Sequence, residues 1–350
     1  KKRSMRRKDS SVLNLKDLNS NTKTSLIYSN FKSQIDTSLK KNTFLVAVSG
    51  GPDSLALSAL SQAYSIEKKR KVFFVLVDHG IRANSFKEAQ NVKTLLKKKG
   101  INLTILKNKK KIKKNIQSHA REIRYQLLLN FCKKYKIKFI MTGHHRDDQI
   151  ETFLIRLSRG SGIQGLSSMS KTTSLSNMTK LYRPLLNEKK KDLVFLAKYY
   201  FDKIFKDPSN TNQRYLRTKI RNLIKRFEKS GIKHDRIINS INNLASTRDT
   251  LNSYIQRIEK KCINKENKTI IINLNFFLSE NNEIQLKIFS NCIKTISKNY
   301  YPPRAKKVLN LLSSFQSNKK VKATLGGCII VKNKKNLIIS KEELKKGRKL

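Results

Sequence analysis

The residues able to do chemistry in this 350-residue chain fall in short polar clusters. Ser49-Gly50-Gly51-Pro52-Asp53-Ser54 follows an apolar run and precedes a helical pattern. Two glycines let the backbone turn with its N–H groups convergent, and a helix N-terminus adds positive potential, a combination that binds phosphate. The lysine of GxxxxGK[ST] is missing, which excludes a Walker A loop. A plain Gly-rich turn with Asp53 and Ser54 as helix caps is the alternative. Asp78-His79-Gly80 ends a second apolar run, where nucleotide contact and simple packing of the histidine both fit. The third cluster is Gly143-His144-His145-Arg146-Asp147-Asp148-Gln149-Ile150-Glu151. Asp147 and Glu151 stand four apart, away from the face of Ile150, Leu154 and Leu157. Such carboxylates could receive a cation or accept a proton. A metal reading is weaker, because adjacent histidines at a strand end point in different directions and no distant Cys or third His completes a tetrahedral set. Asp147 and Asp148 also suit the positive end of a helix, a structural role worth about 0.3–1 kcal/mol each. Arg121 and Arg124 share a helix face and could clamp phosphate or a nucleotide. Arg183, Arg217 and Arg221 stay open between substrate contacts and surface charge.

These clusters need elements to position them. Buried strands are predicted at Phe44–Val48, Val72–Val77, Ile101–Leu106 and Phe139–Thr142, separated by helices at Asp53–Tyr64, Ser85–Lys99 and Asn115–Lys136. Alternation of this kind predicts a parallel, doubly wound α/β sheet, which binds ligands beyond the carboxyl ends of its strands. The polar clusters occupy three such ends. A helix is predicted over Asp147–Leu157, and Ser158–Lys180, rich in Gly and Ser, reads as a lid or disordered loop. Another helix spans Lys189–Phe205. From Phe227 the pattern changes to helices near Asp235–Lys260 and Ile284–Lys298 and a strand pair, Gly327–Lys332 and Asn336–Ser340, joined around Asn333-Lys334. The expected organisation is a basic flexible tail over 1–23, a nucleotide-binding catalytic domain over 24–226 and a smaller basic α+β domain over 227–350.

Composition bounds the partners. The chain carries 77 Lys plus Arg against 24 Asp plus Glu, a net charge of +53. This excludes an acidic or neutral surface and favours a polyanion such as nucleic acid; part of the excess reflects Lys and Asn abundant throughout. No run approaches the ~18 apolar residues of a membrane span, and the first residues lack the apolar stretch of a secretory signal. Four cysteines, Cys132, Cys262, Cys292 and Cys328, lie far apart without a CxxC, against a disulfide framework, zinc ribbon or cluster.

SGGPDS after a buried strand resembles the pyrophosphatase loop, SGGxDS, of the PP-loop ATPases, which cleave ATP between the α- and β-phosphates and adenylate an oxygen. More specifically, four further segments resemble the tRNA(Ile)-lysidine synthetase family in order. They are Asp78-His79-Gly80-Ile81-Arg82; Ala120-Arg121-Glu122-Ile123-Arg124-Tyr125; Thr142 to Thr152 continuing through Arg156-Leu157-Ser158-Arg159-Gly160-Ser161-Gly162; and Asp207-Pro208-Ser209-Asn210 with Arg217, Arg221 and Asn222. SGGxDS alone indicates the superfamily; the GHHRDDQIET…RLSRGSG stretch is the specific signal. The resemblance covers Phe44 to Ile224 and implies a PP-loop, adenine nucleotide α hydrolase-like sheet.

The activity it implies is ligation of free L-lysine to C2 of cytidine 34 in the CAU anticodon of tRNA(Ile). The carbonyl O2 is first adenylated by ATP, the lysine ε-amine displaces AMP, and lysidine switches decoding from AUG to AUA. By the same resemblance Ser49, Gly50, Gly51, Pro52, Asp53, Ser54, Asp78, His79, Gly143 and His144 face the nucleotide, with Asp53 near Mg²⁺. Asp53, Asp147, Glu151 and Arg124 carry the reaction, and Asp147, Asp148, Glu151, Arg121, Arg183, Arg217 and Arg221 meet lysine or tRNA. The general base stays unassigned among the carboxylates. Longer family members have an additional terminal domain, and this chain is expected to end after the first; the family's occurrence in bacteria implies a cytoplasmic enzyme. Lys319-Lys320, Lys334-Lys335 and Lys345-Lys346 would give the C-terminal region a basic tRNA surface. Oligomeric state is open, a homodimer among the alternatives. The rivals are a tRNA 2-thiocytidine or related sulfur transferase, which would use cysteine pairs where Cys132 stands alone, and a non-enzymatic RNA-binding protein with a decayed nucleotide fold.

Overall fold

The computed structural model describes residues 21–39, 42–108, 116–201, 203–205, 216–266, 269–298, 303–315 and 321–342. Asp207-Pro208-Ser209-Asn210, Lys319-Lys320, Lys345-Lys346 and the tail up to residue 20 lie outside the described residues. The packing divides the chain into two compact units, Lys1–Ala245 and Ser246–Leu350.

The first unit is built on the strands β1 (Phe44–Val48), β2 (Val72–Asp78), β3 (Leu103–Lys107), β4 (Phe139–Met141), β5 (Thr172–Ser174) and β6 (Lys180–Tyr182), in the order β3-β2-β1-β4-β6-β5. All neighbours are parallel except β5, which runs antiparallel to β6. Phe44 pairs with Val72 on one side and Phe139 on the other. The central strands β1, β2 and β4 read as apolar runs because both faces are covered, whereas the edge strands β3 and β5 carry exposed polar residues. Leu45, Val75, Ile140 and Leu181 point toward Tyr125, Leu128 and Cys132 of α4 (Ile116–Lys134). Phe44, Val46, Phe74, Leu76 and Met141 point the other way, into a core shared with α1 (Thr22–Leu39), α2 (Pro52–Glu67), α3 (Ser85–Lys97) and α7 (Lys190–Tyr200). Pro52 opens α2, where its missing N–H costs nothing, and Asp53 stands in the positive first turn. Gly100, at φ +72°, ends α3 as its position suggested.

Several expectations are corrected. Thr22 and Lys23 open a helix rather than ending a tail. The segment 158–180 is not a structureless loop: it holds the short α6 (Ile163–Leu166) and most of an edge hairpin, β5–β6. The helix predicted to reach Phe205 ends at Tyr200, since Phe201 turns extended and the chain swings so that the Phe205 N–H reaches Gly50 O at 3.3 Å. On α5 (Arg146–Leu157), Ile150 and Leu154 are buried but Leu157 is 50% exposed. They pack against Ile220 and Ile224 of α8 (Leu216–Lys229), a helix the sequence reading did not anticipate. Phe227, Ile237 and Ile238 join the same cluster, so the first compact unit extends beyond Phe227.

The second unit begins within α9 (His234–Cys262). It contains β7 (Ile263–Glu266), β8 (Thr269–Asn273), α10 (Leu274–Leu278), α11 (Asn282–Ser297), α12 (Ala305–Ser314), β9 (Val321–Leu325), β10 (Cys328–Lys332) and β11 (Asn336–Lys341). The strands form an antiparallel sheet, β7-β8-β11-β10-β9. One face buries Ile270, Ile272, Ile330, Leu337 and Ile339 against Ile288, Phe289 and Ile293 of α11 and Val308 and Leu312 of α12. Gly326 and Gly327, both at positive φ, make the two-residue turn between β9 and β10. The anticipated strand pair turns at Asn333, whose Oδ1 accepts the Asn336 N–H at 2.7 Å. Among the described residues, no helix is long and apolar enough to cross a membrane.

Candidate active site

The order β2-β1-β4 places three strand ends side by side, at the point where the sheet's winding reverses. The loop after β1 closes on its own side chains: Ser54 Oγ donates to Gly51 O at 3.0 Å, accepts the Ser49 N–H at 3.1 Å and lies 3.1 Å from Ser49 Oγ. Gly50 sits at φ +84°, and a Cβ there would come within 2.6 Å of Val92 Cγ2. The remaining first-turn amides of α2 have no intrahelical acceptor, as at any helix start, and are available to an anion.

Gly143 ties β4 to this loop. A Cβ on it would stand 2.7 Å from Asp53 O and 2.9 Å from the Asp53 carbonyl carbon, so only glycine fits against that backbone. Two residues on, His145 caps α5. Its N–H donates to Asp148 Oδ2 at 3.1 Å, and its ring is 2% exposed. Nε2 stands 3.6 Å from Asp53 Oδ1 and 3.5 Å from Asp148 Oδ2, distances of an electrostatic pair rather than of hydrogen bonds. Burial alone would lower the His145 pKa, but Asp53, Asp148 and Asp147 outweigh it and the net shift is upward. Burial pushes Asp148 the other way, yet His145, His144 and Arg217 hold its carboxyl below the usual range. His144 is pushed down to about 4 by burial and by Arg183, Arg121 and Arg217, against the pull of Asp148, and its Nδ1 lies 2.8 Å from Thr142 Oγ1.

The carboxylates divide differently from the expectation. Glu151 is not on an open face with Asp147: it is 2% exposed and held from α8 by two arginines. Arg217 Nε donates to Oε2 at 3.0 Å, and Arg221 Nε donates to Oε1 at 2.6 Å. Glu151 follows Ile150 and lies about 100° around the helix, within the seam that α8 covers. Arg217 Nη2 also stands 3.8 Å from Asp148 Oδ1. Asp147 is half-exposed and makes no ion pair among the described residues. At the neighbouring strand end, Asp78 Oδ1 accepts the Gly80 N–H at 3.0 Å, and Arg124 Nε donates to His79 Nε2 at 3.3 Å. Burial and Arg124 push His79 down to about 4 against the attraction of Asp78. Arg121, on the exposed side of α4, lies over the Tyr125 ring at 5.1 Å.

Arg183 is buried, and its Nη1 donates to Ser170 O at 2.6 Å and Thr173 Oγ1 at 2.9 Å, fastening the hairpin. Arg156 Nη1 reaches Gly165 O at 2.7 Å and Ser168 O at 2.8 Å, while the Gln149 amide pairs with both the N–H and the carbonyl of Met169. Gln149 and Arg156 were missed, although two long polar side chains seven apart on one helix were a readable signal of a face with work to do. The sequence offers His145 only as a possible metal ligand; its bridging position has no sequence signal.

The donor set suits Mg²⁺ better than a caged transition metal. Among the described residues no group of three or more His, Cys, Asp or Glu side chains could hold a metal ion. Asp53 Oδ1 is buried without a hydrogen-bond partner, an acceptor open to a cation. Mg²⁺ is commonly held by one or two carboxylates together with substrate phosphates. The four cysteines are buried and unpaired, and burial pushes Cys132 up to about 12, a poor sulfur carrier.

Residues 21–227 match the family model of the PP-loop domain. The chain is 36% identical over 306 residues to tRNA(Ile)-lysidine synthase of Wolbachia pipientis wMel, covering 86% of this chain and 71% of that protein. It is 32% identical over 306 residues to tRNA(Ile)-lysidine synthase of Orientia tsutsugamushi (strain Boryong), covering 85% and 69%. In fold it is similar to the U34-tRNA thiolase NcsA from Methanococcus maripaludis, solved with its [4Fe-4S] cluster, with TM-score 0.52 at 18% identity over 63% of this chain and 80% of that one. With its lysine-free phosphate loop, the acidic helix beside it and these relatives spanning both compact units, the chain belongs to the tRNA(Ile)-lysidine synthase family, ATP-dependent PP-loop ligases that modify tRNA.

Proposed function

We propose that the chain ligates free L-lysine to C2 of cytidine 34 in the CAU anticodon of tRNA(Ile), through an adenylated O2, converting an AUG-reading anticodon into an AUA-reading one. The observation that carries this reading is the approach of His145 Nε2 to Asp53 Oδ1 and Asp148 Oδ2, 3.6 and 3.5 Å. It joins a phosphate-binding loop to an acidic helix start, and the reaction needs both, one for ATP and one for an ammonium.

Oxide does not leave carbon at neutral pH, so the carbonyl oxygen must be converted into a better leaving group. ATP is the substrate that allows it, with pyrophosphate released in the first step and AMP in the second. Amides and hydroxyls of Ser49, Gly50, Gly51, Asp53 and Ser54 would hold the phosphates, with Pro52 setting the helix start and Asp78, His79, Gly143 and His144 lining the nucleotide side. Mg²⁺ bound at Asp53 would supply positive charge where pyrophosphate gains negative charge. Asp147 would receive the lysine ammonium and take its proton before the amine attacks C2, while Asp148, held ionised by His145 and Arg217, would add negative charge beside it. Glu151, with Arg217 and Arg221, would shape that acidic site. Arg121 and Arg124 would face the anticodon, and Arg183 would act through the hairpin it fastens. The basic C-terminal unit, including Lys334-Lys335, would contact tRNA beyond the anticodon.

The test is incubation with ATP, Mg²⁺, labelled lysine and a CAU-anticodon tRNA. Lysine incorporation with one AMP per lysine is expected. ATP–pyrophosphate exchange without lysine incorporation would assign a different nucleophile, and neither activity would leave an RNA-binding protein.

A further inference from the structure

Helix α7 buries Leu193, Leu196, Ala197 and Tyr200, a spacing that fixes its inward face. Its outward face carries two aromatic residues, Phe195 at 37% exposure and Tyr199 at 45%. Their rings stack with centroids 6.2 Å apart and planes 28° from parallel. Tyr199 is also held from behind, edge-on to the buried Tyr200 at 5.2 Å. From α1, Lys23 Nζ stands 5.2 Å from the Phe195 centroid and 2.7 Å from Asp192 Oδ1. Leu26, one turn on from Lys23 in α1, is 63% exposed. This patch has no role in the active site described above.

Its surroundings are cationic. Lys189, Lys191 and Lys198 are exposed on or beside the same helix, against Asp192, which Lys23 already neutralises. Past the end of α7, Lys203 Nζ lies 5.6 Å from the Phe205 ring, and the Phe205 N–H donates to Gly50 O. The chain therefore runs from the aromatic patch directly to the phosphate loop. Ordered aromatic faces interleaved with lysines match single-stranded nucleic acid, whose bases offer π-faces and whose backbone offers charge. Duplex RNA hides its base faces, and an acidic peptide would make no use of stacked rings.

We propose that the α1–α7 face is a second RNA-binding surface, on which unpaired nucleotides of the tRNA substrate stack against Phe195 and Tyr199 while Lys191 and Lys198 contact the adjoining phosphates. The inference rests on tRNA as substrate, which family membership supplies, and not on the identity of the modified base.

The test measures tRNA affinity and steady-state kinetics of the full chain. Base–aromatic stacking is worth about 1–3 kcal/mol per base, so loss of one stacked base in F195A/Y199A should raise the Kd for tRNA roughly 5- to 150-fold. KM for tRNA should rise in parallel, with kcat at saturating tRNA and the melting temperature unchanged. F195L/Y199L, which keeps apolar area without stacking, should fail similarly, and F195Y/Y199F should restore affinity. K191E/K198E should flatten the logarithmic salt dependence of binding by about 1.4–1.8, the share of two phosphate contacts. Unchanged Kd in F195A/Y199A, or full affinity in the leucine pair, overturns the proposal. A sedimentation shift to smaller species with tRNA affinity intact would instead make the face a contact between two copies, and that too overturns it.

Discussion

Arg221 Nε lies 2.6 Å from Glu151 Oε1, so a buried carboxylate on α5 is neutralised from α8, seventy residues later in the chain. Breaking a buried pair typically costs about 3–5 kcal/mol because a charge is left uncompensated. Arg221 is partly exposed and Arg217 remains, so Arg221→Met should destabilise by less, about 2 kcal/mol. E151L/R221M should recover part of that loss. Urea unfolding of the two single variants and the double gives the coupling, and additive effects would show that the pair contributes nothing.

Asp53→Ala removes the open acceptor beside the phosphate loop. Loss of one preorganised group at developing charge costs about 2.7–4 kcal/mol in activation. ATP–pyrophosphate exchange should therefore fall by about 10²–10³-fold while tRNA binding is retained. Exchange near the wild-type rate would remove Asp53 from the mechanism.

Gly143→Ala should be severe where Gly162→Ala is mild. The first Cβ meets Asp53 O at 2.7 Å, and backbone cannot swing away; the second has nothing within 4 Å. Overpacking of this kind costs about 1–3 kcal/mol, and here the displacement falls on the loop proposed to hold the ATP phosphates. KM for ATP should rise in G143A and stay unchanged in G162A.

His79, held down to about 4, makes stability depend on pH. Between its ordinary pKa near 6.5 and about 4, the unfolded chain binds a proton that the folded chain does not, so stability falls as pH falls through that window. His144 acts in the same direction and His145 in the opposite one. His79→Gln should therefore lessen the decline without abolishing it, measured as urea midpoints at pH 7, 6 and 5.

Arg183→Met leaves the carbonyl of Ser170 and the hydroxyl of Thr173 without their donor. The hairpin should open more often, and limited proteolysis should cut faster within 158–180 than in wild type. Equal cutting rates would mean that Arg156 and Gln149 suffice to hold the segment.

Unbroken apolar runs alternating with helical patterns were enough to specify the parallel sheet, because a strand buried on both faces reads as a continuous apolar run, as FLVAV and VFFVLV do. Glycines beside a helix start marked the phosphate loop for an equally local reason, since few other residues turn there. Where the sequence reading of this segment erred, the cause was a set of partners outside the segment itself. Ser158–Lys180 resembled an unstructured loop because its composition is polar, yet Arg183, Arg156 and Gln149 from the flanking elements hold it by hydrogen bonds to its backbone, which its own composition does not encode.

Sequence alone determined the chemistry on offer: a phosphate loop without a lysine, an acidic helix start, a strongly basic chain and four isolated cysteines. The tertiary structure decided which of those groups meet. Helical spacing put Asp147 and Glu151 on one face, but α8 covers Glu151 with arginines and leaves Asp147 half-exposed. The packing of the layers also put His145 between Asp53 and Asp148, and Gly143 against the Asp53 backbone. Periodicity reports on neighbours within a few residues. Ion pairs between helices seventy residues apart depend on how the layers pack, and only the folded chain specifies that.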